Sequence, residues 1–212
     1  LDTYVVELLR RDGSPDRLIL RGSPFYAESG GQVGDKGNVR SLDGGFSFAV
    51  EDTQRVGNLI VHLGRAKGEA RPMMAVVAQV DVTLRNRTRK NHTATHLLHK
   101  ALKDVLGAHV NQQGSYVGPD RLRFDFSHTK GVSPEELEDI ERRVNSDVFA
   151  NARLETKVED LETAKKGGAM ALFGEKYDER VRVVSVGTSK ELCGGTHVRA
   201  AGEIGPFVIT SE

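Results

Sequence analysis

Two short, widely separated stretches of this sequence place metal-binding side chains four residues apart. The first stretch holds His92 and His96, and the second holds Cys193 and His197. The first has a helical pattern, so its two histidines are expected on one helical face, one turn apart. The second contains glycines, and a tight loop there can turn both side chains toward one point. Three imidazoles and one thiolate match the ligand preferences of zinc, so the pattern predicts a zinc site.

The number of ligands decides what such a site can do. Four protein ligands make a closed, structural site, whereas three leave a position for water or substrate. His99 returns nearly to the face of His92, and we interpret it as a residue behind the ligands or on the surface. Alternatively, Cys193 is a nucleophile activated by His197, or the histidines are ordinary core or surface residues and the thiol is buried and inert. The metalloprotease helix is disfavoured, because Thr93 stands where that motif has a glutamate.

The composition limits the class of protein. The 212 residues include 30 basic and 30 acidic side chains, so the net charge of zero gives no overall attraction for nucleic acid. The single cysteine excludes an internal disulfide and favours a reducing compartment, which we expect to be the cytoplasm. No apolar run approaches membrane-spanning length, so we expect no membrane partner. The chain begins at Leu1 without a methionine, and we expect a fragment or a processed chain.

The hydrophobic patterning indicates an N-terminal β domain. The first eighty or so residues show strands and turns with no helical period. Four glycines within residues 30–37 indicate positive φ or a close approach of the backbone to another group. We predict a small β-barrel over residues 1–83 that contains this glycine-rich motif.

The pattern changes near Asp81, and we predict a mixed α+β domain over residues 84–212 that carries the metal residues. One helix is expected from Leu84 to Leu106. A second is expected to begin at Ser133, with a proline and a capping-box glutamate in its first turn. The pattern also predicts a helical piece from Leu161 through Ala171 and a strand from Phe207 to Thr210. The predicted fold class is therefore α+β.

A run of basic residues precedes the metal histidines. Such runs are usually solvated, but this one would place positive charge beside the metal site, where it could guide a phosphate backbone. Aromatic residues do not alternate with it, so base stacking is not the evident mode of binding. The residues of this run are Arg85, Arg87, Arg89 and Lys90.

Five separated blocks of the sequence resemble the editing domain of alanyl-tRNA synthetase. They cover essentially the whole chain and follow the order of that family. The related editing module of threonyl-tRNA synthetase shares the two metal motifs, and the glycine-rich block favours the alanyl branch. The blocks are FYAESGGQVGD (25–35), RKNHTATHLLH (89–99), LRFDFSH (122–128), AMALFGEKY (169–177) and ELCGGTH (191–197).

The resemblance implies a zinc-dependent aminoacyl-tRNA deacylase, a fragment of an alanine-tRNA ligase. Its substrate would be tRNA for alanine that wrongly carries serine or glycine. Its partners would be the acceptor end of that tRNA and the remainder of the synthetase chain. An alanine pocket cannot strongly exclude glycine or serine, so a second site that discriminates differently is required. The residues it implies as zinc ligands are His92, His96, Cys193 and His197.

Further site residues follow from the same resemblance, from the basic run and from the residues near the metal motif. Gln112 is placed in the editing pocket, although the sequence alone favours a surface loop for it. We expect Gln112 and Thr95 to act in catalysis by holding substrate or water. The resemblance also associates the glycine-rich loop with editing. The residues expected to bind substrate or tRNA are Gly30, Gly31, Gly34, Asp35, Arg85, Arg87, Arg89 and Lys90.

Two other functions remain open at this point. One is a non-catalytic RNA-binding module that zinc stabilises. The other is a threonyl-type editing module, which would remove serine from tRNA for threonine.

Overall fold

The computed structural model describes residues 1–10, 12–171 and 177–212. These residues form two compact units, Leu1–Asn86 and Arg87–Glu212. Among the helices in the described part of the chain, none combines the length and apolar character that a membrane crossing requires.

The first unit is a closed six-stranded β-barrel, which confirms the predicted barrel. Its strands are β1 (Asp2–Leu9), β2 (Asp16–Leu20), β3 (Gly37–Ser41), β4 (Ser47–Val56), β5 (Leu59–Lys67) and β6 (Ala75–Val80). The order around the barrel is β1-β2-β5-β4-β3-β6, every pairing is antiparallel, and β6 closes the barrel against β1. Closure leaves these six described strands without a free edge for another chain to pair with.

Alternating apolar residues fill the interior of the barrel. On β4, Phe48 and Val50 are buried while Ala49 and Glu51 between and after them are exposed, as a two-residue period requires. The imidazole of His62 on β5 also lies in this interior and is fully buried. The barrel core is therefore largely apolar, with buried polar side chains that include Thr53 and the imidazole of His62.

The glycine-rich motif is built into the barrel unit. The two glycines between Ser29 and Gln32 have φ of +55° and +81°, and the flanking residues exchange two backbone hydrogen bonds. Positive φ at both central positions is the requirement of a type I′ turn, which glycine meets without strain. At Gly34 the reason is contact, because a Cβ there would lie 2.3 Å from the carbonyl oxygen of Thr53. This local packing accounts for much of the glycine content of the motif.

The second unit combines helices with a hairpin and a three-stranded sheet. The first helix starts within the last residues of the first unit. The sheet is antiparallel, and the two strands of the hairpin pair only with each other among the described residues. The elements are α1 (Val82–Leu106), β7 (Gln112–Val117), β8 (Leu122–Phe126), α2 (Pro134–Ala150), β9 (Glu155–Asp160), α3 (Leu161–Lys166), β10 (Arg180–Val186) and β11 (Ser189–Leu192).

Helix α2 begins with the capping box that the sequence predicts. The Ser133 hydroxyl accepts from the backbone N–H of Glu136, and the Glu136 carboxylate accepts from the backbone N–H of Ser133. The apolar face of the helix carries Ile140, Val144 and Val148, which pack in one core with the apolar face of α1. This core packs against the face of α1 that does not carry His92 and His96.

One predicted helix end and one predicted strand are wrong. Helix α3 ends at Lys166 rather than Ala171, because Gly167 and Gly168 follow and the second has φ of +80°. The segment from Phe207 to Thr210 forms no strand, because α2 side chains satisfy its backbone: Asn145 bonds both the N–H and the carbonyl of Phe207. Strands β3 and β11 were not predicted.

Candidate metal centre

Helix α1 places two histidine rings side by side. His92 and His96 are both buried, and their ring centroids lie 5.4 Å apart with planes only 10° from parallel. Two threonines on the same turn adapt to the helix by donating their hydroxyl hydrogens to the carbonyl four residues earlier. Thr93 donates to Arg89 at 2.9 Å, and Thr95 donates to Asn91 at 2.8 Å. The helix therefore presents the two rings as a stacked pair.

The loop after β11 supplies the other two side chains. The backbone N–H of Cys193 donates to the carbonyl of Arg182 on β10. The guanidinium of Arg182 donates in turn to the carbonyls of Cys193 (2.9 Å) and Gly195 (2.7 Å). One arginine thus holds both sides of the loop, and the loop returns His197 to within 3.3 Å of Cys193, measured from Nε2 to Sγ.

The four side chains converge. One donor atom from each of His92, His96, Cys193 and His197 lies within 4.8 Å of the other three. Cys193 Sγ is 3.4 Å from His92 Nε2, and the His197 ring lies 4.5 and 5.0 Å from the two rings on α1. This cluster could bind a metal ion.

The hydrogen bonds on the outer side of the rings fit this use. His96 Nδ1 donates to a carboxylate oxygen of Glu191 at 2.6 Å, and its buried Nε2 has no hydrogen-bond partner within the described residues. Because the Thr93 hydroxyl hydrogen goes to a carbonyl, its oxygen accepts from His197 Nδ1 at 3.2 Å. Nδ1 of both rings is therefore engaged on the outer side of the cluster, which leaves Nε2 as the nitrogen that a metal ion would use.

The electrostatics concentrate charge at the cluster. Burial opposes ionisation of the Cys193 thiol, but hydrogen bonds from His197 and His92 outweigh it and hold the pKa well below the ordinary value. Burial lowers the pKa of His197 to about 3. At His96 burial is outweighed by the negative charges of Glu191 and Cys193, which raise the pKa of His96 to about 10. At Glu191 burial is outweighed by His96, and the pKa of Glu191 falls to about 2. A thiolate and a buried carboxylate thus form a locally anionic environment that suits a cation.

Glu191 is the residue that the sequence interpretation missed. It was part of the quoted ELCGGTH block, but no role was assigned to it. Its second carboxylate oxygen lies 3.1 Å from His99 Nδ1, which places His99 behind the cluster rather than among its donor atoms. The available signal was an acidic residue two positions before the cysteine of a metal motif.

The two residues expected to act in catalysis lie on elements close in sequence to the cluster. Thr95 is buried on α1, directly before His96. Gln112 is the first residue of β7 and half-buried, and its amide nitrogen donates to the Ser115 hydroxyl at 3.2 Å. A role for either in catalysis stays a prediction.

Asp35 of the glycine-rich motif is engaged inside the first unit. Its side chain is 5% exposed, forms an ion pair with Arg85 and accepts from the backbone N–H of Tyr26. Gly34 is buried too, whereas Gly30 is exposed. Contact of Arg85 or Asp35 with tRNA stays a prediction, one that requires this pair to open.

The rest of the basic run differs in its surroundings. Arg87 forms an exposed ion pair with Asp120 and also donates to the carbonyl of Pro119. Arg89 is half-buried and Lys90 is exposed. An exposed pair contributes little to stability, so Arg87 and Lys90 are the members of the run best able to meet a phosphate.

One quoted block is described only at its ends. Met170 forms a parallel bridge with Glu191, and its backbone bonds to both neighbours of that residue. Leu172, Phe173, Gly174, Glu175 and Lys176 lie outside the described residues.

Two families match separate parts of the chain. Residues 181–212 match the family described as threonyl and alanyl tRNA synthetase second additional domain, and this segment includes Cys193 and His197. Residues 4–84 match the family described as class II (A) tRNA synthetases, and this segment covers the barrel and its glycine-rich motif. Together with the cluster that could bind a metal, these matches support an editing-type domain related to the alanyl- and threonyl-tRNA synthetases.

Proposed function

We propose that this domain is a zinc-dependent deacylase that hydrolyses the ester between an amino acid and the terminal ribose of a mischarged tRNA. The observation that carries the proposal is the convergence of three imidazoles and one thiolate. Two of these residues, Cys193 and His197, lie in the segment that matches the synthetase additional domain. A set of nitrogen and sulfur ligands favours zinc over magnesium or calcium, which prefer oxygen. The zinc ligands are then His92, His96, Cys193 and His197.

Zinc bound there would supply positive charge that polarises the ester or orients the amino acid and the tRNA end. With four protein ligands, orientation is the better-supported contribution. Thr95 donates its hydroxyl hydrogen within the helix, so its oxygen can accept from a substrate ammonium or hydroxyl. Gln112 uses one amide N–H on Ser115 and keeps a carbonyl and a second N–H for substrate or water.

The substrate we propose is tRNA for alanine that carries serine or glycine. For serine, a polar pocket discriminates against alanine because its groups stay unpaired when the substrate lacks the hydroxyl, and an unpaired buried group costs about 1–3 kcal/mol. Gln112 and Thr95 are the candidates for pairing with the serine hydroxyl. The exposed Arg87 and Lys90 and the glycine-rich turn are candidates for contacts with the acceptor end. We accordingly assign residues 84–212 as the editing core and residues 1–83 as the subdomain of the glycine-rich motif.

The test is deacylation by the purified chain, with zinc content measured on the same sample. We expect cleavage of seryl- and glycyl-tRNA for alanine, no cleavage of alanyl-tRNA, and loss of both zinc and activity in Cys193→Ala. Activity that survives in a zinc-free Cys193→Ala would contradict the role of zinc. A zinc-loaded chain that cleaves no ester, even when joined to the rest of the synthetase, would favour a non-catalytic RNA-binding module.

Threonyl-type editing is the second candidate, because the matched additional-domain family covers both synthetases. The same assay separates the two with one more substrate. Cleavage of serine from tRNA for threonine, without cleavage of serine from tRNA for alanine, would favour the threonyl type.

A further inference from the structure

One carboxylate behind the metal cluster joins two histidines. Glu191 lies on β11, and only 3% of its surface is exposed. Oε2 accepts from His96 Nδ1 at 2.6 Å, and Oε1 accepts from His99 Nδ1 at 3.1 Å. The hydroxyl of Ser189 lies 3.5 Å from Oε1. Both oxygens of the carboxylate are therefore occupied, and both principal partners come from the helix that carries the cluster.

Helix periodicity explains how a single carboxylate can serve two rings. His96 and His99 are three residues apart on α1, so their side chains are neighbours on one face. The His99 ring packs against Phe124 of β8, with centroids 5.1 Å apart, which fixes its position from the other side. His99 is thus a buried, well-supported donor to Glu191.

Fold stability alone gives little reason to keep a carboxylate at this position. Removing a charge from water costs several kcal/mol, and replacing a buried ionic group by apolar residues is often neutral or stabilising. A buried carboxylate aimed at a candidate ligand is better explained by its effect on that ligand.

We propose that Glu191 is a positioning residue for the metal centre, and that His99 anchors it. The bond to Glu191 keeps the proton of His96 on Nδ1 and fixes the ring plane, so Nε2 faces Cys193 and His197. His99 holds the other oxygen, which prevents the carboxylate from turning away or entering the cluster as a ligand. This inference rests on the metal centre of the proposed function, but not on deacylation.

The first test is metal affinity of the full chain, measured for Zn²⁺ by competition with a chromogenic chelator. Partners of this kind typically change metal affinity by about 10–100-fold. We expect Glu191→Gln to weaken binding by about that factor, because the amide can accept from only one of the two rings. The absorption spectrum of the Co²⁺ form should keep its thiolate-to-metal band, since all four ligands remain. Wild-type affinity in Glu191→Gln would overturn the inference.

A pair of substitutions tests the anchor. His99→Ala removes the donor to Glu191 and should weaken Zn²⁺ binding. His99→Asn should recover most of the loss, because its amide nitrogen lies near the place of Nδ1 and can donate to the same oxygen. Equal affinity in His99→Ala and the wild type would overturn the anchoring role.

Glu136→Gln is the matched control, because it removes a carboxylate from the α2 capping box in the same unit. It should leave metal affinity unchanged and lower the melting temperature only slightly, because glutamine can still accept from the Ser133 N–H. If Glu191→Gln behaves in the same way, Glu191 is only structural and the inference fails. A wild-type chain that binds neither Zn²⁺ nor Co²⁺ contradicts the metal centre itself, and with it the proposed function.

A measurement on the wild type covers the case in which a variant does not fold. Long-range ¹H–¹⁵N NMR of the Zn²⁺-loaded chain reports which nitrogen of each histidine carries a proton. We expect His96 to be protonated on Nδ1 and metal-bound through Nε2. A metal bound through Nδ1 of His96 would overturn the inference.

Discussion

His62 in the barrel and His96 on α1 are both buried, yet their two nitrogens are treated differently. His62 donates from Nδ1 to the Leu18 carbonyl at 2.9 Å, and its Nε2 accepts from the Ser23 hydroxyl at 2.8 Å. His96 donates to a carboxylate, and its Nε2 has no hydrogen-bond partner in the described part of the chain. The neutral His62 ring has a hydrogen-bond partner at each nitrogen. Nε2 of His96 gains a partner only when a proton donor or a metal ion binds it.

The difference separates a structural histidine from a ligand. A buried polar group without a partner costs about 1–3 kcal/mol, so a fold keeps one only where another interaction compensates. The second unit places such a group beside a thiolate and two further imidazoles. The barrel unit instead satisfies its histidine with neutral partners. Burial alone therefore does not identify a ligand, and neither does an unpartnered Nε2, because among the described residues His99 has one too; the convergence of four ligand atoms does.

The largest contrast is expected for metal binding. His96→Ala removes one of four ligands and should weaken Zn²⁺ binding on the order of 1,000-fold, about a quarter of the binding free energy of a structural zinc site. His62→Ala, the matched variant, should leave affinity unchanged. Competition with a chromogenic chelator measures both. A similar loss of Zn²⁺ affinity in both variants would contradict the distinction between His96 as a ligand and His62 as a structural residue.

Removal of the metal should affect the two regions unequally. With free Zn²⁺ about 100 times above the dissociation constant, binding stabilises the folded state by about 2.7 kcal/mol, which corresponds to roughly 100-fold slower exchange of globally protected amides. We expect chelation of the metal to speed the exchange of amides in α1 and β10. Strands β2 and β5 carry no residue of the cluster and serve as the internal comparison in hydrogen exchange. Unchanged exchange in α1 after chelation would contradict the account.

The structural role of His62 gives a smaller effect on stability. His62→Ala leaves the Leu18 carbonyl and the Ser23 hydroxyl without this partner, so we expect a loss of about 1–3 kcal/mol in the free energy of unfolding. Urea titration of the metal-loaded chain measures it. His62→Gln, which can both donate and accept, should recover part of the loss. An unchanged free energy of unfolding in His62→Ala would show that the stability of the barrel does not depend on this ring.

The smallest expected effect is the pH dependence that His62 contributes. Burial lowers the pKa of His62, only partly opposed by its bond to Leu18, so the folded ring stays neutral where the unfolded ring is protonated. The unfolded state then binds more protons below about pH 6.5, and stability falls as the pH drops toward the folded value. The slope is at most about 1.4 kcal/mol per pH unit.

The difference between wild type and His62→Gln at pH 7.5 and 5.5 isolates this term, because acid loss of metal is common to both chains. We expect the wild type to lose more stability than the variant. Parallel losses would show that His62 does not titrate differently on folding.

Local signals in the sequence predicted the barrel, the α2 capping box and the spacing that makes four metal-binding side chains possible. Those features depend on residues close in sequence, such as Ser133 with Glu136. The Phe207 segment was predicted incorrectly because its backbone partners are the side chains of a distant helix. The bond from Glu191 to His96 spans 95 residues, so periodicity could not reveal it. The internal pairing of Arg85 with Asp35 was hidden for the same reason.

The most direct measurement for the metal centre is X-ray absorption at the zinc edge of the loaded wild-type chain. We predict one zinc per chain with one sulfur at about 2.3 Å and three nitrogens at about 2.0–2.1 Å, and loss of the sulfur shell in Cys193→Ala. A first shell without sulfur, or one that is identical in Cys193→Ala, would contradict the central claim that these four side chains form one metal site.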